Sequence, residues 1–521
     1  MKSLVVVTGN KRAGGENMDN SGQGEGRNLE GRGSASAMKS AALLSSEKRS
    51  VALAIVAVAM VLDLVDMTII NVAVPTLQAQ FGASDTEVQW MVAGYSTIFS
   101  LLLITGGRLG DIYGYKRAFL IGVAGFTITS LFCGLAQTPG QLVAARLFQG
   151  GAAAIMLPQV MSLTQIMYAP HERMAALGLF GILGGLAAVL GPVIGGLLIS
   201  ADLFGLGWRP IFLINLPIGI LAIVMAFKVL PAGRSERRAK LDMVGTLLVM
   251  LLLFSLIFPL IQGRDYGWPI WGFALMALGV PIGLALMRYS RARMRRDGSA
   301  LIVPELFHAR AFSFGLATTL IFQLATGGLL FTLALALQRG LGFTPAEVGV
   351  AHIPYAFGAS FAIGMLSRKA LPRYGPVIIS WGALLMGTGL FLLVLLLNQE
   401  SLVVSQPWLL APPLLAMGLG MGLVGGPLPP CTLSEVDVGY AGSASGLLKA
   451  TQQLGAAIGA AAIGTLFFAI QPEADMGGER AVWAFSMASA VIGTVLLAVG
   501  LIAFAIPRNL RIRGAAVAVE A

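Results

Sequence analysis

The chain has 521 residues, of which 56% are hydrophobic and only 12% charged, with a mean hydropathy of +0.81; so apolar a composition excludes a water-soluble protein and makes lipid the expected solvent. The formal net charge of +10 raises the question of nucleic acid, but the basic residues fall between apolar segments rather than on a soluble domain, so no nucleic-acid partner is expected. Three isolated histidines, two cysteines (Cys133 and Cys431) at opposite levels of the expected topology, and no phosphate-cradling or metal-ligating motif leave no expected cofactor, metal site or disulfide.

Residues 1–49 are rich in Gly, Ser and charge and read as a disordered tail, with too short an apolar run for a cleaved signal. From there to residue 506 long apolar segments alternate with short charged or Pro/Gly breaks. Spans are expected near 51–75, 88–107, 116–136, 141–164, 174–200 and 209–228, then 241–262 and 269–288, then 312–338, 347–367, 374–397, 408–429, 441–470 and 480–506. Each is long enough as a helix to cross a hydrocarbon core of about 30 Å. The basic residues test this count, because cytoplasmic loops hold most Lys and Arg and one miscounted span would invert the pattern downstream. Only Arg209, Arg264, Arg339 and Arg480 fall on the opposite side, with Arg146 and Lys449 inside spans. The expectation is therefore an all-α integral membrane protein of fourteen spans with both termini in the cytoplasm. Its plan is a cytoplasmic tail at 1–49, a six-helix bundle at 50–229, a linker with two extra spans at 230–310, a second six-helix bundle at 311–507 and a tail at 508–521.

In chain order, the first span carries VDMTIINVAVP at 65–75. An ionisable group at the depth of Asp66 is costly and is usually kept for a charge partner or a proton path. A static ion pair is the plainer reading. Asp63 lies one turn earlier on nearly the same face; the two carboxylates repel if both are charged, so a shared proton is one reading and a water-filled cavity the other. The loop GGRLGDIYGYKRAF at 106–119 sets glycines for a tight turn beside a carboxylate flanked by bases, a set suited to ion pairs that hold one conformation and break in another. Alternatively it only stops the helix and anchors it by positive charge.

The fourth span begins LVAARLFQGGAAAIMLP at 142–158, with Arg146, Gln149 and Gly150 on one face. A buried arginine needs a partner, and Asp66 is the expected one. The fifth span, GILGGLAAVLGPVIGG at 181–196, repeats small residues at three or four residue intervals, giving a face that another helix can approach closely. Small-residue packing alone is the plainer reading. His352, Gln323, Gln338 and Lys449 read as locally bonded or snorkelling groups.

The loop at 106–119 resembles the signature loop of the major facilitator superfamily at Gly107, Leu109, Asp111, Gly114, Lys116 and Arg117. Asp66, Thr68, Asn71 and Pro75 are similar to the first-span element of its fourteen-helix drug:proton antiporters, the EmrB/QacA-like group. The Arg146, Gln149 and Gly150 element, the fifth-span stretch with Gly185, Gly191, Pro192, Gly195 and Gly196, WRPIFLINLPIG at 208–219, LGFTPAEVG at 341–349 and GSASGLLKATQQLGAAIG at 442–459 add to the likeness. The later loop SRKALPRYGP at 367–376 departs from it by lacking the acid.

The resemblance implies a major facilitator fold of two six-helix bundles plus two inserted helices, in a bacterial cytoplasmic membrane. It also implies proton-coupled efflux of amphipathic small molecules by alternating access. Protons, an amphipathic substrate and membrane lipids are the expected partners of a monomer, and no enzymatic chemistry is expected. Proton coupling falls to Asp66 with Arg146 and Asp63, gating to the 106–119 loop, the antiporter motif to the fifth span, and substrate contact to amides such as Asn71, Gln149 and Gln323. A lipid-binding or lipid-translocating protein on the same fold is the alternative.

Overall fold

The computed structural model describes residues 46–168, 170–233, 241–437, 440–471 and 478–506. Residues 1–45, Arg234, Arg237, Arg238, Lys240 and the expected tail at 508–521 lie outside the described residues. The long helices are α1 (Ser46–Phe81), α2 (Asp85–Tyr113), α3 (Tyr115–Leu135), α4 (Pro139–Met167), α5 (Pro170–Ser200), α6 (Pro210–Val229), α7 (Met243–Gln262), α8 (Ile270–Asp297), α9 (Arg310–Gly340), α10 (Pro345–Tyr374), α11 (Val377–Leu397), α12 (Pro407–Leu433), α13 (Ala441–Ile470) and α14 (Gly478–Ala503). The first begins at Ser46, inside the expected tail.

Twelve of the helices are long and apolar enough to cross a membrane among the described residues, where the sequence led to fourteen spans. The difference falls on α4 and α5. Helix α4 is 29 residues long but carries Arg146, Gln149 and Gln159, all buried against other helices, and a helix whose polar groups are bonded inside the protein need not be apolar all round. In α5 many side chains before Leu190 lie outside those described, and the apolar stretch among the described residues is Leu190–Ser200.

Pairing repeats along the chain. In the first set α1 packs on α5, α2 and α3 on α4, and α3 on α6; in the second α9 packs on α13, α10 and α11 on α12, and α11 on α14. The sets meet where α2 packs on α13 and α5 on α10, again equivalent pairs. Local chemistry repeats too. Helix α2 starts from FGASDTEV and α10 from LGFTPAEV: each has a glycine at positive φ (Gly82 at 61°, Gly342 at 69°) and then a capping box, Ser84 with Glu87 and Thr344 with Glu347. The same turn chemistry opens both halves of the repeat. Glycine is needed again where α2 passes α4, since a Cβ on Gly106 would lie 2.1 Å from the Ala154 carbonyl oxygen.

The pair α7 and α8 lies against the seam through α7, which touches both α2 and α13. Thr105 and Thr246 hydroxyls meet at 3.0 Å, and Thr465 donates to the Leu260 carbonyl at 2.9 Å. Helix α8 turns Ile270, Phe273, Val280 and Leu284 outward, a lipid-facing surface. The buried carboxylate of Asp242 fastens the linker, capping α7 through the Gly245 amide at 2.9 Å and accepting from the Tyr289 hydroxyl at 2.7 Å and the Leu301 amide at 2.8 Å.

Candidate functional site

Helix α1 places Asp66 in the interior of the first set, 1% exposed, facing Arg146 on α4, which is fully buried. The two form an ion pair through Arg146 Nη1 and Asp66 Oδ2. Such a pair survives burial only if the remaining donors and lone pairs are also used. Here they are. Arg146 donates to the Met91 carbonyl at 3.2 Å and to Gln149 Oε1 at 2.8 Å, and lies over the Tyr95 ring at 4.3 Å. The other carboxylate oxygen accepts from Gln149 Nε2 at 3.0 Å and Asn215 Nδ2 at 3.1 Å, and both amides also reach the Ser130 hydroxyl, at 2.8 and 3.2 Å. Five helices, α1, α2, α3, α4 and α6, thus converge on one carboxylate.

The sequence reading anticipated the pairing of Asp66 with Arg146 but placed Gln149 in the substrate cavity; the amide belongs to the ion-pair cluster instead. Its i, i+3 spacing from Arg146 was the available signal. Ser130, Asn215 and Tyr95 were passed over. Asn215 stood inside the apolar WRPIFLINLPIG run, where a lone amide invites the question of its partner.

Asp63 is fully buried and does not bond to Asp66. Tyr95, whose ring carries Arg146, donates its hydroxyl to Asp63 Oδ1, while Oδ2 has no hydrogen-bond partner. The half-buried Lys449, on α13 of the second set, interacts electrostatically with it. One carboxylate is therefore enclosed by the first set and the other feels a charge across the seam.

In the 106–119 loop Gly114 takes φ of 95° and links α2 to α3. Asp111 accepts from the Tyr115 hydroxyl at 3.0 Å, and Lys116 donates to the Phe227 carbonyl at the end of α6 at 2.8 Å. Arg117 is exposed, and Gly107 stands 3.5 Å from Pro158 by its missing Cβ. Arg108, which the motif does not specify, donates to the Ser299 carbonyl at 2.8 Å and also to Ala300, tying the loop to the segment after α8.

The glycines of α5 serve two interfaces. A Cβ on Gly191 would lie 1.9 Å from Thr68 Oγ1 and one on Gly195 2.6 Å from Ile69, both on α1; one on Gly196 would lie 2.2 Å from the Pro345 carbonyl oxygen on α10. Pro192 backs onto Gly349 of α10, and the surroundings of Gly185 lie outside the described side chains. Gly196→Val is expected to cost about 1–3 kcal/mol of stability by overpacking the α5–α10 seam, read as a lowered melting temperature in detergent. An unchanged melting temperature would show that α10 yields freely.

Next to that seam lies a narrow cavity lined by Thr68, Asn71, Val72, Pro192, Leu330, His352, Tyr355 and Ala356. Asn71 lines this cavity; Gln323, expected with it as a substrate contact, is not among these residues and has its Oε1 3.4 Å from the Thr326 hydroxyl. Gln338 donates to the Val72 carbonyl at 3.0 Å, bonding across the two sets. At the end of the bundle holding the α1–α2 loop, Arg339 bonds to Gln78 and lies 3.7 Å from Asp85, which Arg264 also meets at 2.9 Å. That end is closed by charge across the seam. Glu435 accepts from the Ala311 amide at the start of α9 at 3.0 Å.

A family model described as Major Facilitator Superfamily matches residues 56–460. A probable actinorhodin transporter of Streptomyces coelicolor is 41% identical over 441 residues, covering 83% of this chain and 76% of that protein. A cephamycin export protein of Amycolatopsis lactamdurans is 34% identical over 77% of this chain and 81% of its own. Among solved structures, a bacterial homologue of the human lysosomal transporter Spinster, inward-facing and unoccupied, superposes with a TM-score of 0.62 at 18% identity, covering 89% of this chain and 98% of that one. With its repeated helix pairing, its signature loop and a match over most of its length, this multi-pass membrane protein belongs to the major facilitator superfamily and is a transporter, not an enzyme.

Proposed function

We propose that the protein exports amphipathic small molecules in exchange for protons, by alternating access between the two sets of helices. The observation that carries this reading is the enclosed Asp66–Arg146 pair. While Asp66 is charged, its oxygens are matched by Arg146, Gln149 and Asn215. A proton on Asp66 removes the charge that Arg146 is held against, so α1 and α4 must rearrange or leave a buried cation without its partner. Helix α1 also carries Thr68 and Asn71 to the cavity and packs on the glycines of α5, which in turn meet α10. Proton and ligand therefore act on the same helix, and that helix bears on the seam that must open.

The relatives named as transporter or export proteins of antibiotics support export as the direction. On this reading residues 50–229 and 311–507 are the two moving bundles and 230–310 carries the inserted pair. Helices α4 and α5 also cross, giving fourteen spans in a bacterial cytoplasmic membrane, with both termini inside and the working unit a monomer. Asp63 is an accessory group, and the 106–119 loop holds the conformation described here through Lys116 and Arg108.

Reconstitution in liposomes with an imposed pH gradient, and a panel of neutral, cationic and lipid substrates, tests the proposal. Gradient-driven movement of at least one amphipathic compound is expected. Movement of labelled phospholipid alone, indifferent to the gradient, would favour lipid translocation and reject the exporter reading.

A further inference from the structure

The cavity between α1, α5, α9 and α10 contains an unusual set of polar groups. Tyr355 is 6% exposed and its hydroxyl has no hydrogen-bond partner; Asn71 Oδ1 is likewise buried without one. His352 is 4% exposed and its Nδ1 lies 2.7 Å from the Val348 carbonyl. A carbonyl only accepts, so Nδ1 carries the hydrogen, and the Nε2 of the neutral ring is left as an acceptor without a partner among the described residues. The Thr68 hydroxyl turns back to its own helix, to Leu64 and Val65 carbonyls at 3.1 and 3.2 Å. The remaining walls, Val72, Pro192, Leu330 and Ala356, are apolar.

Two buried groups of this kind in one apolar cavity, the Tyr355 hydroxyl and Asn71 Oδ1, are costly to the empty protein, because each forgoes water without gaining a bond. A ligand that bonds them removes that cost. No Asp, Glu, Lys or Arg lines the cavity, and Asp66 is bonded away within the first set, so an organic cation would lose its hydration with no counter-charge in reach. The complementary ligand carries hydroxyl donors for Asn71 Oδ1 and His352 Nε2 and a carbonyl acceptor for the Tyr355 hydroxyl, on an apolar frame. The walls come from both sets of helices, so parting them widens the site.

We infer that at this cavity the exporter selects uncharged ring compounds bearing both hydroxyl and carbonyl groups over organic cations, and that the Tyr355 hydroxyl determines the preference for the carbonyl. The inference rests on the export reading and adds the chemistry of the cargo. Tyr355→Phe separates recognition from folding, since the hydroxyl it deletes bonds to nothing in the protein.

The test uses proteoliposomes with an imposed pH gradient and three probes: a dihydroxyanthraquinone whose hydroxyls sit away from its carbonyls, the matching dihydroxyanthracene that lacks those carbonyls, and ethidium. The unmodified protein is expected to prefer the quinone to the anthracene by about tenfold in kcat/KM, and Tyr355→Phe to bring that ratio close to one. The melting temperature of Tyr355→Phe is expected to equal or exceed that of the parent. Equal handling of the quinone and the anthracene, or an unchanged ratio in Tyr355→Phe, overturns the inference. Transport of ethidium alone also overturns it while leaving the exporter standing, whereas movement of labelled phospholipid alone overturns both.

Discussion

Asp66→Asn is expected to reduce pH-gradient-driven export to the level of protein-free liposomes while the protein still purifies as a folded, monodisperse species. The amide has nearly the shape of the carboxylate and still offers an oxygen to Gln149, Asn215 or Arg146, but like protonated Asp66 it leaves Arg146 without a counter-charge, so the variant is expected to rest in the rearranged arrangement of α1 and α4. Arg146 keeps Gln149 Oε1, the Met91 carbonyl and the Tyr95 ring. What the variant cannot do is gain and lose a proton. Exchange of substrate between two equal pools, which needs no gradient, is expected to persist. Full gradient-driven export by Asp66→Asn would remove Asp66 from the coupling path.

Removing the other partner has a different signature. Arg146→Met strands a charged carboxylate in a site closed to water, and breaking a buried pair from one side costs about 3–5 kcal/mol. The expected result is a markedly lowered melting temperature together with lost export. Lysine is not expected to rescue either property, because Arg146 uses Nε toward Met91, Nη1 toward both Asp66 and Gln149, and its flat guanidinium against Tyr95. Combining Arg146→Met with Asp66→Asn removes both charges, so much of the stability is expected to return without transport. A double variant no more stable than Arg146→Met alone would mean that the arginine's packing, and not its charge, holds the site.

The parts of this molecule legible in its sequence are those where burial makes a residue conspicuous. Asp66 and Arg146 stand out because charge is rare inside apolar segments, and their pairing follows from the cost of leaving either alone. Ser130 and Asn215 complete the carboxylate's shell yet are small polar groups of the sort that many membrane helices carry, so nothing along the chain distinguishes them. His352 illustrates a partial reading. A local backbone bond was expected and is present, but it occupies one ring nitrogen and says nothing about the other, whose exposure to a cavity depends on helices from both sets. The repeat was present as FGASDTEV and LGFTPAEV, too short to weigh until both segments were seen to cap equivalent helices. The span count shows the limit of hydropathy: the polar residues Arg146 and Gln149, which form the buried ion-pair cluster, lower the apolar character of α4.

The most direct test of the central claim is the movement of protons themselves. With a pH-sensitive dye sealed inside proteoliposomes and substrate loaded on one side, substrate flux is expected to drive an opposite proton flux, seen as a substrate-dependent change in internal pH that is absent in Asp66→Asn. Substrate flux of the same size with no accompanying pH change would contradict proton-coupled antiport.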